Sequence, residues 1–164
     1  MGSKQVTQFN HAVNNVPSQL DHVLLEQIAN QCTFLVEEVL EMKEAALKGD
    51  WVEVIDAHAD IRFVRDYLDD LCVAAGLNIN KAFRKVCANN AEKYSTSREL
   101  VLQWQAEKAV SHPELETYIA ETEYEGETYY TLRRKDNGKV IKHNNFEAVD
   151  LKDCLPKELL NKEK

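Results

Sequence analysis

Two groups of acidic residues in the first half of the chain have the spacing that helices give to side chains on one face. In order along the chain, the residues are Glu37, Glu38 and Glu41, which read EExxE, and then Glu53, Asp56 and Asp60. Carboxylate oxygens are the ligands that hard divalent cations prefer, whereas zinc favours histidine and cysteine. The six residues therefore indicate a Mg²⁺ site, with Mn²⁺ as the alternative ion.

Two predicted helices carry these groups. In the first, apolar residues recur at three- and four-residue spacing, namely Leu24, Ile28, Cys32, Leu35, Val39 and Met42. Ser18 is its expected N-cap and Gly49 its expected end. The second helix is expected from about Asp50, an N-cap with Glu53 as its capping-box partner, to Ala75, and Gly76 ends it. The short turn between the helices predicts that they are antiparallel neighbours.

The acidic residues of the second helix divide into two sets when they are projected at about 100° per residue. Glu53, Asp56 and Asp60 fall inside the apolar arc, and Asp66, Asp69 and Asp70 fall outside it. A buried carboxylate is costly unless it is paired, protonated or bound to a metal. We therefore expect the first set to be buried at a metal site and the second set to lie on the surface. The alternative is a partly solvated groove with salt bridges to Arg62, Arg65 or a partner chain.

The rest of the chain changes from helical to extended character. Helices are expected at about 79–94 and 97–110, and strands at 117–124 and 127–134, with Asn137-Gly138 as a hairpin turn before Val140-Ile141. The predicted fold is all-α, an antiparallel bundle of four to five helices with a small C-terminal β-hairpin or meander. Residues 1–112 would form the helical catalytic domain. Residues 113–164 would form the β appendage and a tail that carries Lys157, Lys162 and Lys164.

Composition excludes several classes of protein. The net charge of −8 and the lack of a basic patch argue against a nucleic-acid partner. No apolar run reaches the roughly 18 residues that a membrane span needs, so no membrane partner is expected. The four cysteines, Cys32, Cys72, Cys87 and Cys154, include no CxxC pair, and we expect them to be reduced and mostly buried in a cytoplasmic protein.

The ordered motifs resemble the MazG-like, all-α nucleoside triphosphate pyrophosphohydrolases, a group that includes the phosphoribosyl-ATP pyrophosphohydrolases. EExxE, the segment 53–64, a third helix that ends in Asn90 and Lys93, and the segment 133–142 followed by Asp150-Leu151 carry this resemblance. It covers about residues 9–155. The sequence departs from the common family pattern at Ala57, where a Glu usually stands three residues before the final acid, and at the neighbouring His58, which we expect on the surface.

The resemblance implies a reaction and a role for each residue. A nucleoside triphosphate and water would give the monophosphate and pyrophosphate. Glu38, Glu41, Asp56 and Asp60 would hold Mg²⁺, Glu53 would be a ligand or orient one, and Glu37 would act with Glu38 and Glu41 on the attacking water. Asn90 and Lys93 would bind substrate. The family works as oligomers, so a homodimer or homotetramer is expected.

Three alternatives accompany this hypothesis. One is a phosphoribosyl-ATP pyrophosphohydrolase, and another is a non-catalytic, metal-binding interaction module. The third, a di-iron helical bundle, needs a Glu-x-x-His from each of two helices, and the sequence around the acidic groups contains no such pair. The metal-dependent hydrolase is therefore the preferred interpretation.

Overall fold

The computed structural model describes residues 3–160, which form two compact units. The first unit consists of residues 3–79 with 152–160, and the second of residues 80–151. The described chain is mostly helical, with six α-helices and one three-stranded antiparallel sheet. This confirms the predicted fold class. The predicted domain boundary at residue 112 rests on a change in sequence pattern and not on compactness, and it stays a prediction.

The first unit contains α1 (Lys4–Ala12), α2 (Asp21–Lys48), α3 (Trp51–Ala74), a short 3₁₀ helix (Lys152–Cys154) and α6 (Lys157–Leu160). Lys157 thus starts a helix, while Lys162 and Lys164 lie outside the described residues.

The turn between α2 and α3 forms as predicted. Gly49 adopts φ 71°, which a residue without a Cβ adopts without strain. The Asp50 carboxylate caps α3 by accepting hydrogen bonds from the backbone N–H groups of Val52 and Glu53. The predicted capping box would have the Asp50 N–H donate to the Glu53 carboxylate. In the structure this N–H donates instead to the carbonyl of Ala45 at 3.0 Å.

The antiparallel pair of α2 and α3 is joined along a seam of residues spaced alternately three and four apart. The seam residues are Leu24, Ile28, Gln31, Leu35, Glu38, Met42 and Ala45 on α2, and Val54, Ala57, Ile61, Val64, Leu68 and Leu71 on α3, all buried or half-buried. The Gln31 side chain donates to the Val64 carbonyl at 2.9 Å. Glu38 occupies an equivalent position, so one carboxylate lies in the seam itself.

Helix α1 was not predicted. The Ser3 hydroxyl caps it by accepting from the Val6 N–H, and Val6 enters a core with Leu24, Tyr67 and Leu71. Two hydrogen bonds tie α1 to α3: the Ser3 N–H donates to Asp66 at 3.0 Å, and the Thr7 hydroxyl donates to Asp70 at 2.7 Å. Asp66 and Asp70, like Asp69, are therefore half-buried rather than on the open surface.

The start of α2 also differs from the prediction. Its N-cap is Leu20, which provides no side-chain hydrogen bond to the helix. The Ser18 N–H donates to the Gln27 side chain at 2.8 Å, and the Ser18 hydroxyl accepts from the Leu20 N–H. Ser18 thus stabilises the loop before the helix, and its predicted role as N-cap is wrong.

The second unit contains α4 (Ile79–Ala91), β1 (Tyr94–Ser95), α5 (Arg98–Ser111), β2 (Thr117–Tyr124) and β3 (Glu127–Arg134). The sheet order is β1-β3-β2, and β2 pairs with β3 from Thr117↔Arg134 to Tyr124↔Glu127. Glu125 and Gly126 both have positive φ, as a tight hairpin turn of the primed type requires. Val101, Trp104 and Leu132 form the core of this unit.

The reversal predicted at Asn137-Gly138 is confirmed, because the Arg134 N–H donates to the Lys139 carbonyl at 2.9 Å. The returning residue Val140 makes only an isolated bridge to Arg133. The third strand of the sheet is instead β1, which pairs with β3 at Thr131 and Tyr130.

The cysteines are free, as expected, but they are not mostly buried. Cys154 is buried and Cys72 is half-buried, whereas Cys32 and Cys87 are exposed on α2 and α4. None of the helices within residues 3–160 has both the length and the apolar character needed to cross a membrane.

The cap at Asp50 supports a stability prediction. Because its carboxylate satisfies two backbone N–H groups at the start of α3, Asp50→Ala is expected to lower the free energy of unfolding by about 1 kcal/mol. Asp50→Asn keeps the acceptor oxygen and should cost much less. Urea denaturation followed by circular dichroism measures both, and equal losses for the two variants would contradict the capping role.

Candidate active site

The six predicted acidic residues lie on α2 and α3, near the turn that joins these helices. Within the single chain Glu38 is half-buried, while Glu37, Glu41, Glu53, Asp56 and Asp60 are exposed. The prediction that the α3 group is buried is therefore wrong for one chain. The contacts of α1 with α3 explain the difference, because they involve Phe63, Asp66, Tyr67 and Asp70, toward the other end of the helix.

Glu38 lies at the centre of the acidic group. Its pKa is raised above the ordinary value of 4.5, first by partial removal from water and then by repulsion from Glu41, Asp60, Glu37 and Asp56, in that order. Because these carboxylates come from both helices, the antiparallel pairing brings the two predicted groups together. A cation among them would relieve the repulsion.

A cleft of about 240 Å³ opens at the turn end of the helix pair. Its walls consist of Glu41, Glu44, Ala45, Lys48, Asp50, Glu53, Asp56 and Ala57. Ala57 is buried in the seam, so a longer side chain at this position would have to fit between the helices. Asp56 directly precedes Ala57 and Asp60 lies three residues after it, and this is where the chain departs from the usual family spacing. His58 is exposed, as predicted.

Salt bridges do not account for the acidic group. Lys48 pairs with Glu44 at 2.8 Å, and Arg65 pairs with Asp69 at 3.8 Å. Within residues 3–160, none of the six acidic residues forms an ion pair with lysine or arginine. The predicted alternative of a groove neutralised by Arg62 or Arg65 therefore has no support in the described part of the chain.

The donor atoms of this group fit a hard divalent cation, because all of them are carboxylate oxygens. In the described residues, however, no three His, Cys, Asp or Glu side chains already converge on one point as metal ligands. Five of the six carboxylates are on exposed side chains, which keep rotational freedom. Binding of an ion would accordingly require some of these side chains to turn inward.

Asn90 and Lys93 lie in the second unit, where α4 ends. The Lys93 ammonium donates a hydrogen bond to the Asn90 side-chain oxygen, and the Lys93 N–H donates to the Asn90 carbonyl at 3.2 Å. The Lys93 Nζ also lies 5.5 Å from the centroid of the Phe146 ring. The two residues predicted to bind substrate are thus in contact with each other. No sequence pattern indicated that Phe146 would lie beside Lys93.

Comparison with known proteins identifies a family for this chain. The sequence model of the phosphoribosyl-ATP pyrophosphohydrolase family matches residues 6–90, more than half of the chain. The chain belongs to this family. The predicted membership of the MazG-like superfamily is therefore confirmed, and the protein is a nucleotide pyrophosphohydrolase of that superfamily.

The matched residues contain all six acidic residues and Asn90, while Lys93 and the sheet lie beyond them. No protein with a curated description and no solved structure matches the chain.

Proposed function

We propose that this pyrophosphohydrolase cleaves the bond between the α- and β-phosphates of a nucleoside or deoxynucleoside triphosphate, giving the monophosphate and pyrophosphate with the help of Mg²⁺. The observation that carries the proposal is the environment of Glu38: four other carboxylates raise its pKa, and within residues 3–160 no lysine or arginine forms an ion pair with any of the five. Such a group would repel a triphosphate by itself. Divalent cations between the carboxylates and the phosphates would remove that repulsion.

The side chains have distinct roles in this proposal. Glu38, Glu41, Asp56 and Asp60 would hold the cation, and Glu53, at the rim of the cleft, would be a further ligand or would orient one. Mg²⁺, or Mn²⁺ in its place, would supply positive charge toward the phosphates and would make the attacking water more acidic. Glu37 orients the attacking water and accepts its proton.

In the second unit, Lys93 donates to phosphate oxygens and Asn90 to phosphate or sugar. The bond between the Lys93 ammonium and the Asn90 oxygen keeps both side chains together at the end of α4.

Phosphoribosyl-ATP is the second candidate substrate, and the description of the matching family favours it. It is itself a nucleoside triphosphate with an added phosphoribosyl group, so the same bond would be broken. The acidic group acts on the phosphates and does not distinguish the two substrates. The candidates differ only in what the protein must accommodate at the base.

We also propose that the protein is a homodimer or homotetramer. On α2, the apolar residues Leu25, Val36, Val39, Leu40 and Leu47 are each at least 48% exposed. At about 100° per residue they project away from the side that carries Glu37 and Glu41. A monomeric protein rarely exposes so many large apolar side chains on one side of a helix, and a second copy of the chain would cover them.

The deciding experiment offers the purified protein a panel of nucleoside and deoxynucleoside triphosphates together with phosphoribosyl-ATP, each with Mg²⁺, with Mn²⁺ and with a chelator. Products are separated so that pyrophosphate is distinguished from orthophosphate. We expect metal-dependent release of pyrophosphate. Turnover of phosphoribosyl-ATP alone would select the second candidate. If no nucleotide is turned over, the proposal is wrong, and a non-catalytic, metal-binding role would replace it.

A further inference from the structure

The segment 142–147 of the second unit has no regular secondary structure, yet side chains hold it at both ends. The Asn144 amide donates to the Glu107 carbonyl at 3.2 Å, and its oxygen accepts from the Ser111 hydroxyl. The His143 ring stacks on Trp104 with centroids 4.8 Å apart. On the other side, the Asn89 amide donates to the carbonyl of Glu147 at 2.9 Å. The segment is therefore fixed to α5 and to α4.

This anchoring places two lysine ammonium groups on one aromatic ring. The Lys142 Nζ lies 4.4 Å from the centroid of the Phe146 ring, and the Lys93 Nζ lies 5.5 Å from the same point. The two nitrogen atoms are thus no more than about 10 Å apart. The electron-rich face of an aromatic ring attracts ammonium groups, which offsets part of their mutual repulsion.

Both ammonium groups keep their positive charge uncompensated by any acid in the part of the chain that the structure describes. Within the described residues, neither Lys93 nor Lys142 forms an ion pair with a carboxylate. The hydrogen bond from Lys93 to Asn90 occupies one of the three donors that an ammonium carries. Several charged donors on both lysines therefore remain for an anion that offers many oxygen atoms.

We propose that Lys142 and Lys93, which both lie over the Phe146 ring, form a binding site for an oligophosphate, the class of anion that the proposed reaction consumes and releases. This inference rests on the proposed function and adds Lys142 as a substrate-binding residue. An oligophosphate suits the pair better than a single carboxylate, because its oxygens are spread over several atoms and reach both ammonium groups. The sequence showed Lys142 only as the last residue of the segment 133–142, without a role.

The test measures binding of inorganic pyrophosphate to the full chain by titration calorimetry, in buffer that contains a chelator. Without divalent ions the carboxylates of the first unit repel this probe, so binding reports on the lysines. Lys142→Ala is expected to weaken binding about tenfold or more, since it removes charge-assisted hydrogen bonds. Phe146→Leu should also weaken binding, while Lys142→Arg should keep most of it.

Lys139→Ala is the matched control, because it removes one exposed positive charge of the same unit and should leave binding unchanged. With substrate, Lys142→Ala should raise KM about tenfold and change kcat much less. Because Lys142 is exposed, this variant tests the site without removing a buried side chain.

Two results would overturn the inference: no pyrophosphate binding by the unaltered protein, or equal losses for Lys139→Ala and Lys142→Ala. If pyrophosphate binding depends on Lys142 but no nucleotide is hydrolysed, the anion site stands and the proposed reaction falls.

Discussion

Glu38→Gln is expected to lower kcat by about a hundredfold or more, and in metal-free protein it is expected to raise thermal stability. Glutamine has nearly the shape of glutamate, so the packing of the seam between α2 and α3 is kept. The substitution removes a half-buried charge, and the pKa of this group is raised by partial removal from water and by the neighbouring carboxylates. Activity should fall because the cation would lose a ligand. Stability should rise because a charge is no longer held partly out of water and because the repulsion from Glu41 and Asp60 decreases.

The pH dependence of stability tests whether the pKa of Glu38 is raised in the folded protein. The raised pKa of Glu38 means that folding favours its protonated form. In the presence of a chelator, its contribution to the free energy of unfolding is therefore fully present below the unfolded pKa. That contribution is lost as pH rises through the higher, folded pKa. Glu38→Gln should remove this part of the decline, and chemical denaturation between about pH 4 and 7 measures it.

The matched control is Glu26→Gln, an exposed acid on the same helix that does not belong to the acidic group. It should leave kcat and the pH profile unchanged. Addition of Mg²⁺ should raise the melting temperature of the unaltered protein more than that of Glu38→Gln, because ligand binding stabilises the folded state. Full activity in Glu38→Gln would contradict the central place that we assign to this residue.

Local signals predicted the helix pair well. Gly49 and Asp50 end one helix and start the next through their own backbone conformation and side chain. Helix geometry fixes the angle between residues four apart, so the sequence alone predicts that Glu37 and Glu41 lie on one side of α2. Gly76 likewise marks the end of α3 in the sequence, because its φ of 78° is a conformation that glycine adopts without strain.

Burial could not be predicted in the same way, because it depends on what packs against a helix and how far along it. The polar, nine-residue helix α1 carries too weak an apolar pattern to be detected from sequence. It packs against Tyr67 and ties down Asp66 and Asp70, which were expected on the surface. Strand β1 escaped detection because two residues paired with β3 leave no pattern at all.

Leu40→Glu is expected to dissociate the proposed oligomer. Leu40 is 55% exposed in the single chain, and in the same helix Leu47 is 80% exposed. An exposed substitution of this kind changes the stability of a monomer by only about 0.5 kcal/mol or less. In an apolar interface the same substitution buries an unpaired charge, which costs several kcal/mol. The variant should therefore fold normally and lose its partner chains.

Light scattering coupled to gel filtration measures the change. The unaltered protein should have two or four times the chain mass of 18.8 kDa, and Leu40→Glu should have 18.8 kDa itself. Val110→Glu is the matched control, because Val110 is 85% exposed but lies on α5 in the second unit. A mass of 18.8 kDa for the unaltered protein would refute the oligomer. Loss of activity together with loss of mass in Leu40→Glu would show that the site needs the second chain, because none of the six acidic residues has been changed.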